Sequence, residues 1–208
     1  LGIERDVRLI EGDLENISSI GNAITASDPD IIFHLAAQSF VPRSFVDPNE
    51  TMLCNCWGTS NLLEAIRLKD ADATVVFAGS SEEYGLVISS QEHYRRALEK
   101  YGVVFPEPER IPELPISETN PLRPMSPYAV SKVYGDYLMR NYWHSYGIPT
   151  VVSRAFNHEG AGRGIMFVTS VITSQVMKLK HGEIDSITIG NVNAFRDWSH
   201  VDDIIDGH

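Results

Sequence analysis

The stretch Ile31-Ile32-Phe33-His34-Leu35-Ala36 decides the fold class, because it is a short and almost unbroken apolar run that ends in small residues. Such a run predicts a strand covered on both faces, as in a parallel sheet. Further strands are predicted at Val7–Glu11, Thr74–Ala78, Thr150–Ala155 and Ser186–Ile189. Amphipathic stretches between them predict helices at Ile17–Ala26, Glu50–Leu68, Pro127–Tyr146 and Val168–Lys180. This alternation predicts an α/β fold built from βαβ units.

The composition of the 208 residues is that of an ordinary globular protein, with 43% apolar and 22% charged residues. The net charge of −11 disfavours a nucleic-acid partner, because an acidic surface repels the phosphate backbone. No apolar run reaches the roughly 18 residues of a membrane span, and the charged N-terminus does not resemble a signal peptide. Cys54 and Cys56 stand too close together for an easy disulfide. We therefore expect a cytoplasmic protein with no nucleic-acid partner, no membrane partner and no metal site.

A long segment between Gly85 and Ser126 interrupts the alternation of strands and helices. It carries a predicted helical piece around Gln91–Tyr101, which is followed by many prolines. Segments of this length in compact domains are usually lids or partner contacts. We expect one of these two roles for it.

Tyr128 and Lys132 are four residues apart on a predicted helix, behind a proline that suits the first helical turn. Side chains at this spacing project from one face, and a cation there can lower the pKa of a phenol. The spacing alone is a weak signal, because such pairs also recur on helices by chance. A second polar segment supports the interpretation of this pair as catalytic.

This second segment is the turn Gly79-Ser80-Ser81-Glu82-Glu83-Tyr84, which follows an apolar predicted strand. The carboxyl edge of an open α/β sheet is where ligands bind. Alternatively, Ser80 caps a turn and both glutamates are simply solvated. Together with Tyr128 and Lys132, however, the turn supplies the groups needed to oxidise a sugar alcohol and then remove a proton beside the new carbonyl.

Seven segments in order resemble the extended short-chain dehydrogenases/reductases that act on nucleotide sugars. They are Gly12–Leu14, His34–Ser39, Asn55–Ala65, Ala78–Gly85, Ser126–Lys132, Phe156–Gly160 and Arg196–Trp198. Within this family the likeness is closest to the GDP-mannose 4,6-dehydratases, through Phe156–Glu159, Arg163–Gly164, Phe167–Thr169, Gly190–Asn191 and Arg196–Trp198. The resemblance implies a Rossmann-like doubly wound parallel sheet with a small substrate-binding part.

The resemblance also implies roles for individual residues. Tyr128 would be the base for the hexose 4-hydroxyl, Lys132 would bind the nicotinamide ribose, and Glu82 would remove the C5 proton. Ser80 would hydrogen-bond the 4-hydroxyl. Cofactor contacts are implied for Asp13, Leu14, Leu35, Ala36, Ala37, Tyr128, Lys132 and His158. Substrate contacts are implied for Ser39, Asn157, Arg163, Phe167, Val168 and Arg196.

Some of these positions have plain structural alternatives. Phe167 and Val168 are as easily explained by core packing. Arg196 could instead form a surface ion pair with Asp197 or Asp202. Asn55 is expected to brace a helix rather than touch substrate.

The implied function is a nucleotide-sugar 4,6-dehydratase that turns GDP-mannose into GDP-4-keto-6-deoxymannose through a transient hydride on NAD or NADP. Alternatives are a GDP-4-keto-6-deoxymannose reductase, a nucleotide-sugar 4-epimerase of the same family, or a non-catalytic nucleotide-binding module. No Gly-x-x-Gly-x-x-Gly occurs near Leu1, so the choice between NAD and NADP stays open. A homodimer or homotetramer is expected through the helices Glu50–Leu68 and Pro127–Tyr146.

The same resemblance suggests a division of the chain. Residues 1–155 would form a dinucleotide-binding domain without its first βαβ unit, 156–190 part of a substrate-binding domain, and 191–208 a return segment to the first domain. The chain begins close to a strand and stops at what resembles the start of a helix, in Val201–Ile205. We therefore expect a portion of a larger protein, truncated at both ends.

Overall fold

The computed structural model describes residues 5–207 and divides into two compact units, Leu1–Arg154 and Ala155–His208. The first unit contains a three-stranded parallel sheet in the order β1-β2-β3, with β1 at Ile31–His34, β2 at Thr74–Ala78 and β3 at Thr150–Ser153. The register pairs His34 with Phe77, and Phe77 with Val152. The α/β prediction with parallel strands is confirmed.

The helices of the first unit are α1 (Ile17–Ser27), α2 (Val41–Val46), α3 (Pro48–Met52), α4 (Gly58–Lys69), α5 (Gln91–Tyr101) and α6 (Pro127–Tyr146). Local sequence explains where α6 begins and ends. The Ser126 hydroxyl accepts a hydrogen bond from the Ala129 amide, Pro127 occupies the first turn, and Gly147 closes the helix in the left-handed region at φ 73°. The predicted bounds of α5 and α6 are confirmed.

One face of the sheet carries the main core. It is covered by α1, α4 and α6, and the fully buried side chains include Leu63, Ile66, Val75 and Met139. Burying each such side chain contributes roughly 1.5–3 kcal/mol to folding, so this layer fixes α4 and α6 against β2.

The opposite face of β1 corrects one expectation. Ile31 and Phe33 point away from this core and are 53% and 52% exposed. The prediction that this strand is covered on both faces is therefore wrong for the described residues, in which α1, α4 and α6 pack on the other side. The strand is also shorter than predicted, because the Leu35 amide turns back to the carbonyl of Phe33.

The predicted helix Glu50–Leu68 is interrupted. Asp47 caps α3 through the Glu50 amide, a π-helical turn follows at Leu53–Trp57, and α4 runs on to Lys69. Single π-turns inside helices place a side chain differently from the regular spiral. Here the turn contains Asn55, whose amide reaches both Gln38 and Ser131.

Two predicted strands are wrong. Residues 7–11 form no strand, because no described residue pairs with them, and Leu9 is 85% exposed. Residues 186–189 form none either. There the side-chain amide of Gln175 bonds both the amide and the carbonyl of Thr188, which takes the place of a strand partner.

The segment between Gly85 and Ser126 has a small core of its own, made by Ile88, Ala97 and Val104. Arg123 and Glu113 form an ion pair in which both side chains are almost fully buried, at 4% and 3% exposure. The role as a lid or partner contact stays a prediction.

The second unit contains strands β4 (Asn157–Glu159) and β5 (Trp198–His200), which pair in parallel, and helices α7 (Val168–Lys180) and α8 (Val201–Gly207). The bounds predicted for α7 are confirmed, whereas neither short strand was predicted. None of the helices within 5–207 is long and apolar enough to cross a membrane. The assignment of 191–208 to the first domain stays a prediction.

Candidate active site

The turn after β2 is held by a reciprocal cap. The Ser80 hydroxyl accepts a hydrogen bond from the Glu82 amide (3.2 Å), and Oε1 of Glu83 accepts one from the Ser80 amide (2.8 Å). Gly79 is required here because a Cβ would lie 2.4 Å from the carbonyl oxygen of Ser153. The turn leaves Ser80 half-buried and the Glu82 side chain exposed.

Tyr128 and Lys132 lie buried on α6, at 8% and 5% exposure. Lys132 Nζ donates a 2.7 Å hydrogen bond to the carbonyl oxygen of Ala78, the last residue of β2, and lies 5.8 Å from the centre of the Tyr128 ring. The structure thus brings the helix pair to the strand end that begins the Ser80 turn. Burial lowers the pKa of Lys132 to about 8, against the opposing charge of Glu83.

The loop after β1 is tied to the same helix through Asn55. Asn55 accepts from the Gln38 amide (2.8 Å) and donates to the carbonyl of Gln38 (3.1 Å) and to the hydroxyl of Ser131 (2.8 Å). This confirms the expectation that Asn55 braces a helix. Leu35, Ala36 and Ser39 are exposed in this loop, and Ala37 is half-buried.

Asp13 and Leu14 follow the first segment of the chain. The exposed Asp13 carboxylate accepts a hydrogen bond from the Glu15 amide (2.9 Å). Leu14 is half-buried, and its carbonyl accepts a hydrogen bond from Asn61 of α4 (2.8 Å). Leu14 therefore anchors this segment to α4, and the cofactor roles of both residues stay predictions.

The remaining candidates belong to the second unit: Asn157, His158, Arg163, Phe167, Val168 and Arg196. The Arg163 guanidinium stacks 3.6 Å from the centre of the Phe167 ring and lies 3.5 Å from Glu159. Val168 is 51% exposed, so core packing does not account for it among the described residues. Their substrate and cofactor contacts stay predictions.

Arg196 is exposed and donates a hydrogen bond to the carbonyl of its neighbour Phe195 (2.8 Å). Within the described part of the chain it forms no ion pair with Asp197 or Asp202, and Asp202 instead lies 3.4 Å from His200. The surface ion pair considered as an alternative is therefore absent there.

Sequence reasoning missed a buried ionic cluster beneath the turn, formed by Glu83, Asp136 and Arg154. Two signals for it were present in the sequence. Asp136 lies four residues after Lys132 and hence on the same side of α6, and Arg154 directly follows the apolar strand β3. A charged residue at either of these positions can be predicted to be buried only when its oppositely charged partner is known.

The sequence analysis also did not predict that His34 would belong to the surroundings of Lys132. It is buried at the end of β1, with Nε2 2.9 Å from the hydroxyl of Thr59. Burial and the charge of Lys132 lower its pKa to about 4, so the ring is neutral at physiological pH.

Comparison with known proteins places the chain in a family. Residues 2–208 match the family model of GDP-mannose 4,6 dehydratase. Relatives include GDP-mannose 4,6-dehydratase of Vibrio cholerae, 36% identical over 93% of this chain and 46% of its own, and GDP-mannose 4,6 dehydratase 2 of Caenorhabditis elegans, 34% identical over 94% and 45%. The chain thus spans about half the length of these relatives.

Solved structures agree on the fold. RMD from Pseudomonas aeruginosa, complexed with NADPH, matches with a TM-score of 0.79 and 29% identity over 94% of this chain and 60% of its own. DesIV, a dTDP-glucose 4,6-dehydratase from Streptomyces venezuelae with NAD and TYD bound, matches with a TM-score of 0.75 and 25% identity over 100% and 55%. The chain belongs to the GDP-mannose 4,6-dehydratase family, within the extended short-chain dehydrogenases/reductases.

Proposed function

We propose that the protein is a nucleotide-sugar 4,6-dehydratase that converts GDP-mannose to GDP-4-keto-6-deoxymannose. The observation that carries the proposal is the turn after β2, where the exposed carboxylate of Glu82 follows the half-buried Ser80, next to the strand end that Lys132 contacts. An epimerase or a reductase needs no base at C5, whereas an elimination does. The names of the relatives point to the same reaction.

The reaction requires a nicotinamide cofactor, which when bound would supply hydride-transfer chemistry between C4 and C6 of the hexose. Several residues fit such a group. Leu35 is 67% exposed although apolar, as the rim of a cofactor cleft would be, and Asp13 offers an exposed carboxylate to the adenine. Lys132 would hold the nicotinamide ribose. Because related structures contain NADPH or NAD, we propose NAD or NADP.

The proton transfers fall to side chains of the first unit. Tyr128 takes the 4-hydroxyl proton, and the neighbouring ammonium of Lys132 stabilises the phenolate that does so. Ser80 hydrogen-bonds the same hydroxyl. Once C4 is a ketone, the C5 proton is acidic, and Glu82 removes it and then protonates the hydroxyl that leaves C6 as water. A proton from solvent at C5, matched by release to solvent of the proton that Tyr128 accepted, would complete a dehydration that is redox-neutral overall.

The diphosphate of the substrate needs cations, although the chain carries a net charge of −11. We assign this role to Arg196 and Arg163, because a guanidinium binds phosphate oxygens through charge-assisted hydrogen bonds. Arg196 is exposed, and the Nε atom of Arg163 is buried without a hydrogen bond from the described residues. Ser39, Asn157, Phe167 and Val168 would contact the sugar and the nucleoside.

The test incubates the full-length protein with GDP-mannose and either NAD or NADP, and separately with a 4-keto sugar nucleotide and NADPH, and the products are examined by mass spectrometry and NMR. Loss of one water from the sugar nucleotide supports the proposal. An unchanged mass with a changed sugar configuration would indicate a 4-epimerase instead. Reduction of a supplied 4-keto sugar nucleotide by NADPH, without dehydration, would indicate a reductase. Cofactor binding with no turnover would indicate a binding module.

We also propose a homodimer formed through α4 and α6. A homotetramer would consist of two such dimers. Tyr137 and Trp57 are each 57% exposed, and the hydroxyl of Tyr134 on α6 lies 2.7 Å from the hydroxyl of Ser60 on α4. Aromatic, weakly charged surface of this kind favours an interface core. Light scattering of the full-length protein should give a dimer that Tyr137→Glu dissociates without unfolding. A monomeric parent at micromolar concentration would contradict the interface.

A cytoplasmic location is proposed from the cysteines. Cys54 and Cys56 are both free thiols, and burial raises the pKa of Cys56 to about 11, so that thiol is unreactive at neutral pH. Thiols of this kind suit a reducing compartment. Fractionation of cells that express the full-length protein tests the location, and recovery outside the cytoplasm would contradict it.

A further inference from the structure

Glu83 is a completely buried carboxylate for which the proposed reaction has no direct use. Its exposure is 0%, and it stands directly after the exposed Glu82. Oε1 accepts the hydrogen bond from the Ser80 amide, while Oε2 lies 3.2 Å from Nε of Arg154. One oxygen therefore holds the turn, and the other faces a cation that does not belong to the turn.

Arg154 connects this carboxylate to the helix of the candidate catalytic pair. Its Nε and Nη2 atoms both donate to Oδ2 of Asp136, at 2.8 Å and 2.6 Å. Asp136 is fully buried on α6, one helical turn after Lys132. The same guanidinium donates to the carbonyl of Glu118 (3.1 Å). The chain Glu83–Arg154–Asp136 thus spans the two segments that carry Ser80, Glu82, Tyr128 and Lys132.

This arrangement gains little stability for the desolvation energy that it costs. Two buried carboxylates share Arg154, and the second cation, Arg140, bonds Asp136 (2.6 Å) from a half-exposed position. Desolvation of buried charges often outweighs their attraction, so well-packed apolar residues are commonly as stable or more so. What this cluster does supply is fixed relative position: Arg154 donates directional hydrogen bonds to Asp136 and forms an ion pair, without a hydrogen bond, with Oε2 of Glu83.

We propose that Glu83 is a positioning residue, which sets Ser80 and Glu82 relative to Tyr128 and Lys132 by linking the cap of the turn to Arg154 and Asp136. The proposal rests on the dehydratase function, since that reaction uses all four groups at one hexose. A misplacement of about 1 Å between such groups can cost 10²-fold in rate. Glu82 acts on the substrate, and Glu83 determines where Glu82 and Ser80 stand.

The charge of Glu83 depends on pH near neutrality. Burial raises its pKa to about 7, the Ser80 amide opposes this, and the charge of Asp136 adds to it. Among the described residues, three cations surround this carboxylate. They are Arg154, which lies beside it, and Arg140 and Lys132 on α6. Because the pKa is raised in the folded state, the neutral form stabilises the fold at low pH, and this contribution is lost as pH rises through about 7.

The first test compares Glu83→Gln and Glu83→Ala in the full-length enzyme, with Glu92→Gln of an exposed ion pair as the matched control. Gln retains the acceptor for the Ser80 amide but lacks the charge that faces Arg154. We expect Glu83→Gln to lower kcat about tenfold with KM within about twofold, and Glu83→Ala to lower it about 10²-fold. Glu92→Gln should match the parent. A Glu83→Gln enzyme with the kcat and pH profile of the parent would overturn the proposal.

The second test needs no turnover, so it separates this proposal from the proposed function. Hydrogen exchange of the Ser80 and Glu82 amides is measured in parent and variants without substrate. We expect exchange to be about tenfold faster in Glu83→Ala. The Tm of Glu83→Gln, relative to the parent, should increase between about pH 5 and about pH 8. Equal exchange in the parent and Glu83→Ala would overturn the proposal even if the parent is inactive on GDP-mannose.

Discussion

The two units hold their candidate site residues in different ways. In Leu1–Arg154, Tyr128 and Lys132 are buried. Both the amide and the hydroxyl of Ser80 are hydrogen-bonded within its turn. In Ala155–His208, none of the described residues is buried, and Phe195 is 96% exposed. Proton transfer demands accurate placement, whereas binding a flexible nucleotide tolerates a looser surface. The side chains proposed for proton transfer thus belong to the unit that places its residues by burial and hydrogen bonds.

The largest effect is expected at the turn of the first unit. Glu82→Gln removes the proposed base at C5 and should lower turnover by roughly 10²–10⁴, with substrate and cofactor affinity nearly unchanged. Steady-state kinetics of the full-length enzyme measure both quantities. Glu107→Gln, at an exposed position, serves as a control. Unchanged turnover in Glu82→Gln would remove this residue from the mechanism and favour an epimerase or a reductase.

The stability of the two units should differ nearly as strongly. Leu63 of α4 is fully buried in the main core, so Leu63→Ala should cost about 2–5 kcal/mol of unfolding free energy. Ile172 on α7 is 37% exposed, and Ile172→Ala should cost less than about 1 kcal/mol. Urea unfolding measures both. Equal losses would mean that packing does not distinguish the units.

A cation of the second unit should affect binding and leave the chemistry intact. Arg196→Ala should raise the KM for the sugar nucleotide about tenfold while turnover changes less than about twofold, because charge-assisted bonds to phosphate are lost. Arg110→Ala, an exposed arginine of the first unit, is the control. A parental KM in Arg196→Ala would argue against its role in binding the diphosphate.

The smallest effect is a displacement along the pH axis. Lys132→Met removes the positive charge beside Tyr128, and because such a charge favours ionisation of a neighbouring phenol, the rising limb of the rate profile should move to higher pH. Cofactor affinity should weaken as well, whereas Tyr128→Phe should affect the chemistry alone. An unshifted limb in Lys132→Met would reduce this lysine to a structural role.

Local sequence signals determine much of the first unit, which explains what could be predicted. The serine, proline and glycine at the ends of α6 are short-range signals, and its bounds were predicted correctly. A strand forms only where another strand pairs with it, and this cannot be read from an apolar run alone. The strands predicted at 7–11 and 186–189 were therefore wrong. The π-turn at Leu53–Trp57 also escaped, because it depends on what Asn55 contacts across the fold.

The site shows the same division between local and distant information. Ser80, Glu82, Tyr128 and Lys132 could be nominated from spacing and from their place after a strand. The adjacent Glu82 and Glu83 could not be told apart by sequence, although one is exposed and the other fully buried. The buried one bonds the Ser80 amide and lies 3.2 Å from Arg154, which stands seventy-one positions along the chain.

The most direct measurement of the central claim follows a label through one turnover. GDP-mannose carrying deuterium at C4 is incubated with the full-length enzyme in ordinary water, and the product is examined by NMR and mass spectrometry. We predict a dehydrated 4-keto product with the deuterium at C6, because the hydride taken from C4 returns within the site. Deuterium retained at C4, or lost from the product while the sugar keeps its C6 hydroxyl, would contradict it.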